Sequence, residues 1–327
     1  MIGELAIWYL FLAGAGAGAL MVGSVLEMRT PFNRRCTVVT GGMPVAGATS
    51  RGSMALWCCA IEPRPDYQGF FGPVYGVGLL AVLVGTLCLF ADLGRPDRVL
   101  MLLLHPTFSF IAIGVYLLMF LMLCAGVLWV LWGLGLAFFP RWLAGLARGG
   151  CILGSVAVMA YTGLLLASMP AVVFWNTWWL PLLFVVSDIS AGFGLVALSV
   201  VLSGDAASFH TTLTRIRHWD STAVAAEAVL LLLLMLTALS KGPTAQVSVA
   251  LLLSGALAPL FWGMVVGVGL LFPLVLERVQ RAFGQRSMIV LGVALVISCF
   301  FLRWCVVQAG ALPDIEAAIM TVLGSGP

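Results

Sequence analysis

Glu27, Asp92, Asp188, Glu227, Glu277 and Arg303 fall within or at the ends of long apolar runs of this 327-residue chain. A charge there is costly, so each needs a partner, a polar neighbour or a task. Glu27 and Glu277 stand where apolar runs end, and capping a helix is sufficient work for them. Asp188 and Glu227 lie deeper. Either Arg303 neutralises a carboxylate such as Asp188, or these groups form a proton relay or line a polar ligand site. The densest charge cluster is Asp92-Leu93-Gly94-Arg95-Pro96-Asp97-Arg98, in a chain only 9% charged. Gly94 and Pro96 make it a helix stop, which explains the turn but not the gathering of charge. His105, just before Pro106, is an interfacial imidazole that can hold or release a proton. Tyr161 offers a phenol hydroxyl to an acceptor inside an apolar segment.

Other chemistry is excluded by residue type. A transmembrane b-type haem needs axial ligands, usually His on facing helices. The three histidines, His105, His210 and His218, all fall outside the apolar runs. No Cys-x-x-Cys occurs among the eight cysteines, so an iron–sulfur cluster or structural zinc is not expected, and no metal site is assigned. Cys58-Cys59 reads as an inert vicinal pair, and nothing suggests a nucleic-acid partner.

The elements that must position these residues are membrane helices. The chain is 62% hydrophobic, with mean hydropathy +1.13. Eight apolar segments are predicted, at about 7–26, 73–90, 108–131, 150–168, 179–202, 222–239, 247–271 and 288–308. Each can cross a hydrocarbon layer of ~30 Å at ~1.5 Å per residue. The expected fold is an all-α integral membrane domain over 1–327. Segments one to four (about 7–168) and five to eight (about 179–308) would form two four-helix bundles. The first segment runs into Glu27-Met28-Arg29 rather than a small-residue cleavage site, so a retained helix is expected. Residues 29–72 form a long connection.

Twelve arginines fall on one side of this arrangement, and Arg95, Arg98 and Lys241 on the other. The positive-inside rule then places both termini, the Asp92 turn and His105 outside, and residues 29–72 in the cytoplasm. Gly14, Gly16 and Gly18 alternate with alanine in the first segment. They allow close helix packing or leave room for a flat ligand.

Four stretches resemble the NrfD/polysulfide-reductase membrane-subunit family. They are Trp8-Tyr9-Leu10-Phe11-Leu12-Ala13-Gly14, Asp92-Leu93-Gly94-Arg95-Pro96 with the 109–114 stretch after it, Ala160-Tyr161-Thr162-Gly163-Leu164-Leu165, and Leu302-Arg303 with Ala309-Gly310. The turn is the most specific of them. The resemblance implies a haem-free anchor in the bacterial cytoplasmic membrane that binds menaquinone or ubiquinone. It also implies electron exchange with a periplasmic iron–sulfur subunit and, through that, with a molybdopterin or multihaem catalytic subunit. Quinone contacts are expected from Tyr161 and Asp92, with His105, Trp8 and Gly14 nearby. Asp188, Glu227, Glu27 and Arg303 are expected on a proton path. For Asp188 that role is inferred from the residue itself, because the family pattern leads one to expect a small or apolar residue at this position. Two alternatives stand beside this reading: a proton-coupled transporter, and a structural anchor that leaves quinone to another subunit.

Overall fold

The computed structural model describes residues 3–29, 38–40, 43–45, 65–92, 110–135, 141–202, 210–279 and 284–324. Arg95, Arg98, His105 and the Glu277 side chain lie outside the described residues, as does most of the 29–72 connection.

Helices dominate. They are α1 (Glu4–Arg29), α2 (Pro65–Asp92), α3 (Phe110–Gly133), α4 (Arg141–Ala167), α5 (Trp179–Leu202), α6 (His210–Ser240) and α7 (Pro243–Leu253). Next, α8 (Ala258–Leu260) runs through a π-helical stretch (Phe261–Leu271) into α9 (Phe272–Val279), and α10 spans Gly284–Gly324. Among the described residues the remaining regular structure is a small antiparallel hairpin, β1 (Val38–Thr40) and β2 (Met43–Val45), with Val39 opposite Pro44. Eight helical stretches are long and apolar enough to span a bilayer. The chain is therefore a multi-pass membrane protein. Its two ends share one face, called here the terminal face; the other is the arginine-rich face.

Two boundaries differ from the sequence expectation. The second span starts at Pro65 rather than Pro73. A proline suits the first helical turn, where its missing N–H would be unpaired anyway, while Pro73 is carried inside the helix. The seventh span is not continuous over 247–271. The Ser254 and Gly255 N–H groups both donate to the Ala250 carbonyl, ending α7, and the chain restarts at Ala258-Pro259. The Trp262 indole N–H donates to the Leu253 carbonyl at 3.1 Å, satisfying an acceptor that the ended helix leaves open. The crossing part is Ala258–Leu276.

At the centre is α1, with 72% of its apolar window buried against 28% for α2. It packs on α2, α4 and α5, and also reaches α10. A Cβ at Gly18 would overlap the Asp188 carbonyl, and one at Gly192 would overlap the Gly18 backbone. The alternating glycines therefore bring α1 and α5 into backbone contact, which small residues permit. This seam joins the first four helices to the rest.

Candidate functional site

Three polar clusters lie at different depths. Nearest the arginine-rich face, Glu27 ends the buried part of α1. The Tyr75 hydroxyl of α2 donates to Glu27 Oε2 at 2.5 Å and stands 3.3 Å from Ser24 Oγ. Arg148 Nε of α4 is 3.6 Å from Glu27 Oε1 and donates to the Ala144 carbonyl at 3.2 Å. The Trp132 indole of α3 sits beside the same carboxylate. All four helices of the first half contribute, and both carboxylate oxygens are engaged. Glu27 is thus an interhelical clasp as well as a helix-end residue.

The second cluster lies mid-membrane, where α1, α5, α6 and α10 meet. Asp188 Oδ1 pairs with Arg303 Nη2, and both side chains are fully buried. Arg303 Nη1 donates to the Cys299 carbonyl at 3.2 Å and lies 2.7 Å from Cys299 Sγ. The guanidinium stands over the Phe184 ring, 4.8 Å from its centroid, a favourable cation–π placement. Glu227 of α6 is buried beside Ser187 and feels the Arg303 charge. Among the described residues, Asp188 Oδ2, Arg303 Nε and Ser187 Oγ have no hydrogen-bond partner. A Cβ at Gly14 would overlap the Asp188 carboxylate. The space beside Gly14 is therefore filled by Asp188 rather than open to a flat ligand.

The third cluster lies towards the terminal face. Tyr9 of α1 and Tyr161 of α4 are both buried and close enough to interact electrostatically. The Tyr9 hydroxyl has no hydrogen-bond partner among the described residues. The Tyr161 ring and hydroxyl occupy the place that a Cβ would take at Gly114 of α3. Trp8 turns the other way, towards α10, stacking on Phe300 at 4.6 Å between centroids. Asp92, at the exposed end of α2, lies against Gly3 just before α1. A carboxylate is favoured at a helix N-terminus, so this contact gives Asp92 a structural reason.

The structure thus brings Gly14, Asp188, Glu227 and Arg303 together, while Tyr161 lies against Gly114 of α3. Glu27's partners are on α2 and α4, whereas Glu227's are on α5 and α10. Sequence reasoning missed Tyr75, Arg148, Cys299 and the buried Asp220 of α6, which accepts a hydrogen bond from Ser190 Oγ at 2.9 Å. It also passed over Tyr9, although that hydroxyl stands in an apolar run next to Trp8. Asp220 had a signal as well: it precedes Glu227 by seven residues, which puts both on one helix face.

Among the described residues, no group of three or more His, Cys, Asp or Glu side chains is placed to hold a metal ion. The Tyr9 hydroxyl, unpartnered among the described residues, is a buried hydrogen-bond donor. Two phenols on facing helices can donate to an oxygen of a flat, largely apolar molecule.

Known proteins are similar to this sequence. The family model described as polysulphide reductase, NrfD, matches residues 72–313. The C subunit of Wolinella succinogenes polysulfide reductase is 34% identical over 160 residues, covering 48% of the present sequence and half of that protein's length. Protein NrfD of Escherichia coli K12 is 30% identical over 262 residues, covering 72% of the present sequence and 81% of that protein. The family match begins inside α2 and ends in α10, so it takes in the central ion pair and Tyr161. The chain belongs to the polysulphide reductase NrfD family.

Proposed function

We propose that this chain is the haem-free, quinone-reactive membrane subunit of a respiratory oxidoreductase complex. The orphaned Tyr9 hydroxyl beside Tyr161, on the terminal-face side of the first four helices, carries the reading. A bound menaquinol or ubiquinol supplies two electrons and two protons when it is oxidised. Tyr161 and Tyr9 hold the head group by donating hydrogen bonds to its oxygen. Gly114 keeps the α3 wall short where Tyr161 lies against it. Asp92 on that face, and His105, which the charge distribution of the sequence assigns to the same side, take the released proton at a carboxylate oxygen or an imidazole nitrogen.

The arginine distribution orients that face to the periplasm of a bacterial cytoplasmic membrane. An iron–sulfur partner subunit docked there accepts the electrons and passes them to a catalytic subunit. Asp188, Glu227 and Arg303 form a separate proton-holding centre. Glu27, already satisfied by Tyr75 and Arg148, stays outside that route.

The broken seventh span is what a transporter reading would use, since interrupted helices often frame substrate sites. The cavity beside it is lined by apolar side chains such as Phe174, Leu231, Phe261, Val265 and Val306, with the Cys305 thiol as its most polar group, a poor fit to a charged or strongly polar substrate. The observations therefore favour the quinone reading.

The test is quinol-analogue binding to the purified complex, read by fluorescence quenching. Wild type is expected to bind saturably, with Tyr161→Phe and Tyr9→Phe weaker. A wild-type complex that binds no analogue with its partner subunits present sinks the reading.

A further inference from the structure

We infer that Asp220 is the proton-uptake residue of the central centre, linking it to the arginine-rich face; this rests on the proton-holding role proposed above. The register between α5 and α6 sets the depth of each group. Ser190 is near the middle of the α5 span, while Asp220 stands just before the apolar run of α6 that begins at about Thr222. Their hydrogen bond at 2.9 Å fixes these two levels side by side. The helices are consecutive and antiparallel, so ten residues back along α6 and ten forward along α5 set His210 level with Val200. At ~1.5 Å per residue that is about 15 Å of helix.

The stretch of α6 that covers this depth reads His210-Thr211-Thr212-Leu213-Thr214-Arg215-Ile216-Arg217-His218. Its sequence is hydrophilic and its backbone is helical throughout. Polar sequence therefore reaches from the arginine-rich face to mid-membrane along α6. Asp220 is the first buried carboxylate met on that line.

From Asp220 the same helix face leads to Glu227, seven residues or about 10 Å further. Glu227 is beside Ser187 and within the field of Arg303, and Arg303 holds Asp188. Ser187 Oγ, Asp188 Oδ2 and Arg303 Nε are buried acceptors or donors with no partner among the described residues. Buried polar groups of that kind are normally hydrogen-bonded, so an unfilled set of three marks a place that takes a mobile hydrogen-bonding ligand. A row of carboxylates alone would not carry this. The Ser190 register and the three open polar atoms give it direction and an end point.

The step is a proton relay in which nothing else changes. Asp220 accepts one proton from the arginine-rich side, then gives it to Glu227. The Asp188–Arg303 centre passes it on towards the terminal face. Quinol oxidation by the partner's acceptor drives the cycle. Asp220 is a proton carrier and does not touch the quinone.

The experiment uses the intact complex in sealed vesicles, reading charge moved per electron delivered to the acceptor, for wild type, Asp220→Asn, Asp220→Glu and Tyr161→Phe. Asp220→Asn is expected to lose most of the charge-to-electron ratio, and Asp220→Glu to retain it. A hydrophobic carbodiimide should also label Asp220 in the resting wild-type complex, mapped by mass spectrometry. An Asp220→Asn complex with an unchanged ratio overturns the inference, and so does a wild-type complex that oxidises quinol without moving charge. In the second case the quinone reading survives. A wild type that does not react with quinol at all removes both.

Discussion

Two buried carboxylates, Glu27 and Asp188, each face an arginine on another helix, yet they are finished differently. Glu27 has both oxygens engaged, and its cation, Arg148, keeps 16% of its side chain exposed. Asp188 and Arg303 are fully enclosed, and each keeps a polar atom unpartnered among the described residues. A satisfied pair near a boundary holds helices together at modest desolvation cost. An enclosed pair with open hydrogen-bonding capacity costs more and gives less stability in return. The contrast separates a clasp from a working centre inside one membrane domain.

The largest expected effect comes from breaking the enclosed pair. Arg303→Met strands Asp188 in the interior and should destabilise the protein by about 3–5 kcal/mol, seen as lost assembly or a lowered Tm. The double variant Arg303→Met with Asp188→Leu should recover much of that stability but no charge movement. A double variant as unstable as the single one would show that packing, not stranded charge, dominates there.

Tyr75→Phe tests the clasp. It removes one hydrogen bond to a charged group and should lower stability by about 1.5–3 kcal/mol, while quinol-analogue affinity stays at the wild-type level. A weakened analogue affinity in this variant would erase the distinction between the two clusters.

Gly14→Ala sharpens the comparison from the α1 side. The new methyl meets a carboxylate that cannot withdraw without releasing Arg303. Overpacking of this kind costs about 1–3 kcal/mol. Thermal melting should rank it below Arg303→Met and above any alanine placed at the open Gly126, where nothing lies within 4 Å.

Tyr161→Phe should have the smallest stability effect, because its hydroxyl makes no hydrogen bond among the described residues. An unchanged Tm together with impaired quinol oxidation is the expected pair of results. A drop in Tm comparable to that of Tyr75→Phe would make Tyr161 structural.

The membrane spans and the presence of charges inside them were legible in the residue order. Apolar runs of sufficient length follow from composition alone, because the bilayer sets one threshold for every segment. The seventh span shows where that reading fails. Hydropathy does not register the break at Ser254-Gly255, since Val247 to Leu271 is apolar on both sides of it. A helix end is a hydrogen-bonding event, and here it depends on Pro259 and on the Trp262 indole reaching back.

The site divides in the same way. Arg303, Asp188 and Glu227 declared themselves because any charge in an apolar run demands an explanation. The glycine stripe of α1 foretold a close approach, since missing side chains leave space whatever the neighbour. Which neighbour fills that space was decided by the tertiary structure: Asp188 lies 174 positions from Gly14 (188 minus 14), and no local pattern links them. Tyr75 and Glu27, and Ser190 and Asp220, are likewise partners on different helices. The residue order of a membrane protein sets what must be buried and how deep, through the energy of each side chain in hydrocarbon. Which polar groups meet is set by helix rotation and crossing, which depend on packing summed over every neighbour at once.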